Sequence, residues 1–141
     1  MMRLRGSAML TVGLALLVSC GEPVSDEHVV DQPATVEELP GSELSTITLT
    51  EPAAERLDIQ TVAVASSEDG LVVPSSAIYL DAGGQWWVYT NPEPSVFVRA
   101  PIQIVSEEGG EVRLSEGPPV GTQVVVVGVP ELYGTEVGIG R

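Results

Sequence analysis

The sequence predicts an all-β domain, a small barrel or sandwich with one short helix, behind a flexible acidic spacer. Three observations predict it. From Thr46 onward, short apolar or alternating runs recur roughly every 8–12 residues between Gly- and Pro-rich turns. Val124-Val125-Val126-Val127 is an unbroken β-branched run, which suits a central strand buried on both faces. Gly21 to Ser45, by contrast, holds seven acidic residues, no basic one and three prolines, with no helical or alternating period.

The amino-terminal head reads as an address. Arg3 and Arg5 precede an apolar run from Ala8 to Ser19. That run is too short for about 30 Å of hydrocarbon, which takes roughly 20 residues. It fits a secretory signal over residues 1–19. Its end, Leu17-Val18-Ser19-Cys20-Gly21, resembles a bacterial lipobox. The resemblance implies cleavage before Cys20, a thioether-linked diacylglycerol on its sulfur and an acyl chain such as palmitate on its amine. Two or three chains together hold a membrane stably where one does not. Gly21, where a retention signal would have Asp, then favours the periplasmic face of the outer membrane in a two-membrane bacterium. In a one-membrane bacterium the protein would sit outside the plasma membrane.

Charge narrows the partners. The 141 residues include 20 acidic side chains against six arginines and no lysine, for a formal net charge of −14. A chain starting at Cys20 loses Arg3 and Arg5 and reaches −16. Nucleic acid is excluded, because phosphate binding needs a basic patch. Anionic headgroups repel the chain, so lipid must do the anchoring. One Cys and one His, Cys20 and His28, cannot supply a disulfide within the chain or a Cys/His zinc site. Residues 20–45 then form a self-repelling tether, long enough to reach on the order of 80 Å when extended. His28 is read as a solvated tether residue.

The domain is read over 46–141. Thr46-Ile47-Thr48-Leu49-Thr50 alternates as a strand. Thr50-Glu51-Pro52 then opens a helix of about two turns, with Thr50 as N-cap and Pro52 in the first turn. Asp58 suits a left-handed exit. Ile59 to Ala65 resumes as a strand, followed by Leu71-Val72-Val73-Pro74 and Ala77-Ile78-Tyr79-Leu80. Asp81-Ala82-Gly83-Gly84 is a hairpin turn into Gln85-Trp86-Trp87-Val88-Tyr89-Thr90. Val96 to Val105 alternates around Pro101, which marks an edge or a bulge. Glu107-Glu108-Gly109-Gly110 turns the chain into Glu111-Val112-Arg113-Leu114-Ser115.

Catalytic chemistry is sparse. The domain has no His, Cys or Lys beside its Ser and Thr hydroxyls to serve as a base. Glu107 and Glu108 sit in a turn with nothing apolar to raise their pKa values. No oxygen ligands fall at calcium-loop spacing, and Gly138-Ile139-Gly140 lacks the context of a nucleotide fingerprint. The expectation is a protein that is not an enzyme and uses no cofactor or metal. Trp86-Trp87 is the one aromatic concentration. Successive strand residues face opposite ways, so one Trp fills the core and the other faces outward, unless both faces are covered.

Taken together, these phrases resemble the carboxy-terminal, membrane-proximal part of the periplasmic adaptor subunits, or membrane fusion proteins, of RND efflux pumps. Ile47 to Val64 is similar to that family's strand, Thr-Glu-Pro, helix and Leu-x-Ile-x-Thr phrase. Val73-Pro74-Ser75-Ser76-Ala77-Ile78 is similar to its "VPxSAV", and Trp87-Val88-Tyr89 to its "WVY". Val96-Phe97-Val98-Arg99 resembles the next strand, with Ala100 in place of a second basic residue. Ser115 to Gly128 resembles its Gly-rich turn and Val-Val strand, and Glu131 to Glu136 its closing segment. The resemblance implies a β-barrel, permuted SH3-like domain that docks on an efflux transporter or a full-length adaptor. The docking surface it suggests comprises Trp86, Trp87, Tyr89 and Arg99. The chain departs from the family in lacking coiled-coil heptads. It has no Met after Met9, so a thioether copper or silver relay is rejected. The alternative function is a lipoprotein that binds a small ligand or an envelope polymer by stacking on an outward Trp.

Overall fold

The computed structural model describes residues 32–138. The signal, the lipobox, Cys20, His28 and the start of the tether lie outside the described residues. The described chain is all-β, with eleven strands in two antiparallel sheets and two helices.

The first strand corrects the expected tether. Ala34–Glu38 (β1) pairs antiparallel with Ser45–Leu49 (β2), so ordered structure begins well before residue 46. Val36 lies opposite Ile47, and Ala34 and Val36 pack against the core. Two half-buried side chains at period two are enough when a finished sheet edge offers the partner strand. Glu37 and Glu38 mask that pattern in the sequence.

The helix Glu51–Leu57 (α1) follows as expected, with Pro52 in its first turn. Thr50 occupies the N-cap with extended backbone, although its side chain makes no capping bond. Asp58 takes the left-handed exit, at φ 48°.

The expected strand over 59–65 is bent in two. Gln60–Ala63 (β3) belongs to one sheet and Ala65–Ser67 (β4) to the other. Buried Val64 is the corner between them; its N–H donates to Thr122 O at 2.8 Å. Gly70–Pro74 (β5) leads through a single 3-10 turn, Ser75–Ala77, to Ile78–Leu80 (β6). Trp86–Glu93 (β7) and Val96–Pro101 (β8) form the centre of the larger sheet. A second corner, at buried Ile102, carries β8 into Gln103–Glu108 (β9). Pro101 is the last residue before this corner, where a missing N–H costs least. Glu111–Glu116 (β10) and Gln123–Val127 (β11) complete the strands.

The larger sheet runs β1-β2-β8-β7-β11-β3, with β6 also on β7. Trp86, Trp87 and Val88 pair with β6, and Thr90 farther along pairs with Val124 of β11. The smaller sheet runs β4-β5-β10-β9. Neither path closes on itself, which corrects the expected barrel: the domain is two open sheets joined at their corners.

The final helix, Val129–Glu136 (α2), is one more than expected. Gly128 turns into it at φ 96°, and a Cβ there would run into Ile59 Cδ1. Val129 and Leu132 are buried, and Tyr133 packs beside them. Pro130 and Gly134, poor helix residues in isolation, hide the segment from a propensity reading.

The larger sheet is covered on both faces. On one, Ile47, Leu49, Tyr89, Phe97 and Val125 pack with Ala53 of α1 and with Val129 and Leu132 of α2. On the other, Val88 and Val124 pack with Val73, Val112 and Leu114 of the smaller sheet. Val124 and Val125 thus serve opposite cores, as the four-valine run predicts.

Candidate functional site

β7 alternates its side chains between those two cores. Trp87 and Tyr89 share the helix-covered face with Tyr79 of β6 and Arg99 of β8; their registers are Tyr79 opposite Trp87 and Tyr89 opposite Arg99. Trp86 and Val88 point to the other face.

Tyr89 is fully buried, which removes it from any docking surface and corrects the expectation placed on it. Alternation assigns it a face, but only the packing of α2 decides that this face is interior. Its hydroxyl donates to Glu136 Oε2 at 2.5 Å. Its ring stacks on Tyr79, with centroids 5.1 Å apart and planes within 9°, and Tyr79 meets Tyr133 at 5.3 Å. Burial, then the bond to Glu136, raises the Tyr89 phenol well above the ordinary tyrosine range. Burial likewise pushes Tyr79 up to about 12. The Tyr79 hydroxyl is buried and has no directed hydrogen-bond partner.

Arg99 is mostly covered, its side chain 17% exposed, and it faces a Glu136 side chain only 6% exposed. Nε lies 3.1 Å from Glu136 Oε1, but its N–H is not aimed well enough to count as a hydrogen bond. The contact is an ion pair rather than a directed bond. Nη2 donates to Glu43 O at 3.3 Å, and Cζ sits 4.4 Å from the centroid of the half-buried Trp87 ring. Trp87 Nε1 in turn donates to Asp81 Oδ2 at 2.8 Å. Asp81 Oδ1 accepts the backbone N–H groups of Gly83 and Gln85, both at 2.9 Å. The Gln85 N–H is the main cause holding its carboxyl below the usual range.

A polar chain therefore runs from the β6–β7 turn through Trp87 and Arg99 to α2. Of the four side chains the sequence singles out, Trp87, Tyr89 and Arg99 meet in this network. Trp86 stands apart on the opposite face, 37% exposed, beside its cross-strand partner Leu80, 50% exposed. Sequence reasoning missed Leu80 and Glu136, and read Asp81 as a turn residue without its bond to Trp87. Leu80 and Asp81 carried a signal, since an Asp opening a Gly-Gly turn fixes which residues pair across it. Glu136 carried none, lying 47 residues from Tyr89.

A surface cavity of about 200 Å³ lies over the outer side of the smaller sheet, lined by Val72, Ser106, Glu108, Glu111 and Arg113. Among the described residues, no three His, Cys, Asp or Glu side chains are grouped to share a metal ion. Nor is any helix among them long and apolar enough to cross a membrane. No family model matches the sequence, and no curated protein matches it.

Proposed function

We propose that this chain is a lipid-anchored, extracytoplasmic, non-catalytic accessory protein that docks on an envelope transport complex of the RND efflux type. The observation that carries the reading is the order of the adaptor-like phrases on one folded unit. The strand–Thr-Glu-Pro–helix–strand phrase corresponds to β2, α1 and β3. The phrases around Val73 to Ile78, Trp87 to Tyr89 and Val96 to Arg99 fall on β5, β6, β7 and β8. Lipidation at Cys20 supplies the anchor, and the tether raises the local concentration of the domain near its partner. Exposed Trp86 also suits the alternative, stacking on a sugar or other small ligand.

Two measurements test this. Metabolic labelling with palmitate should mark the chain and fail on Cys20→Ala. A pull-down from membranes with the lipid intact should recover a transporter or a full-length adaptor. Labelling without any transport component recovered would overturn the docking reading. A tryptophan fluorescence shift with sugars, and none with a transporter domain, would favour the alternative.

A further inference from the structure

One exposed apolar pair in the described residues stands on a rigid frame. Leu80 and Trp86 are cross-strand partners, so their side chains lie together on one face of β6 and β7. Among the described residues β6 pairs only with β7, which puts the pair at a sheet edge. Asp81 fixes the turn between them through its bonds to Gly83, Gln85 and Trp87. The Gln85 side-chain amide donates to the carbonyls of Trp86 at 3.0 Å and Ile102 at 3.4 Å. A surface held this way loses little conformational freedom on binding.

Charge selects the occupant. Residues 32–138 contain sixteen carboxylates and three arginines. Each arginine is already engaged: Arg99 with Glu136, Arg113 at 3.9 Å from Asp69, and Arg56 with the Pro52 carbonyl at 3.2 Å. The described domain is therefore strongly negative as a whole, while the Asp81 carboxylate is turned to the Trp87 face. A second copy, an anionic bilayer or a nucleic acid would meet repulsion here.

We propose that the Leu80–Trp86 edge docks an extended segment of a protein partner that carries lysine or arginine on either side of an apolar anchor. The anchor packs on Trp86 and Leu80, the partner backbone runs along β6, and the basic groups meet the domain's overall negative field. This rests on the reading of the chain as a docking module and names the chemistry of its partner.

The test uses the full-length chain and a short capped peptide alternating lysine and leucine, with a glutamate–leucine peptide as control. Binding is read by calorimetry, and by the change in indole fluorescence of the parent chain. The lysine peptide should bind saturably, and more weakly as salt rises from about 0.1 to 1 M. L80K and W86A should each weaken it at least about tenfold. L80K alters an exposed position, so its thermal midpoint should match the parent and separate lost binding from lost folding. Binding unchanged in L80K, equal binding of the glutamate peptide, no binding of either peptide, or self-association through this edge in sedimentation would overturn the proposal. Membrane pull-down with L80K separates the two readings. If transport components are still recovered, the edge proposal fails and docking stands. If the peptides behave as expected but no transport component is recovered by the parent chain, docking on a transporter fails alone.

Discussion

The two faces of β7 are held by different physics. On the Tyr89 face, a nearly buried ion pair, a phenol donor and the tilted Tyr79–Tyr133 contact tie α2 to the sheet. On the Val88 face, the contact with the smaller sheet is wholly aliphatic until it opens at Leu80 and Trp86. The polar face is sensitive to the loss of any one partner, because each group compensates another in a low-dielectric setting. The aliphatic face loses stability only in proportion to area and volume.

The largest test breaks the polar face. Glu136→Leu should cost about 3–5 kcal/mol by leaving Arg99 covered and unpaired. Adding Arg99→Met should recover much of that loss, as denaturant titration of the single and double variants would show. Additive losses would mean the ion pair is not the tie. Next, Val88→Ala on the other face should cost about 2 kcal/mol with no rescue available from Arg99→Met.

The alkaline response sharpens the same contrast. A tyrosine raised in the folded state is held neutral by folding. Its stabilising contribution is complete below about pH 10 and declines as pH climbs toward about 12 for Tyr79. In a Tyr133→Phe chain, tyrosinate absorbance should appear only as circular dichroism is lost. A phenol titrating near its ordinary value in an intact fold would contradict the buried stack. The smallest effect belongs to the open end of the aliphatic face, where Leu80→Lys should change stability by less than about 0.5 kcal/mol.

Much of this was legible in the sequence. The alternation of β2, the left-handed exit at Asp58, the turn after Asp81 and the doubly buried start of β11 follow from local pattern and backbone sterics. Three features were not. β1 carries Glu37 and Glu38, and only the presence of β2 makes it a strand. α2 has Pro130 and Gly134, and tertiary burial of Val129 and Leu132 outweighs their poor propensity. The burial of Tyr89 depends on a helix that closes over it from the far end of the chain. Period two states which side a residue faces but not what covers that side.

The free edges show a related contrast. On β9, Ser106 pairs with Arg113 and Ile104 with Leu114, so Val105 is a bulged, unpaired residue. Glu107 lies opposite buried Val112 yet stays exposed, placing a charge on the core side of the edge. Both devices discourage a further strand from adding there. No such guard lies on Leu80, which leaves β6 the more permissive margin.

The corners at Val64 and Ile102 carry a mechanical consequence. At each corner a single buried residue carries the chain from one layer into the other, so the two layers share backbone as well as side-chain contacts. Prising them apart means exposing Val64 and Ile102 and breaking the hydrogen bonds their N–H groups make to Thr122 and Trp86. The two cores should therefore melt in a single concerted step, without a half-molten stage in which one layer outlives the other.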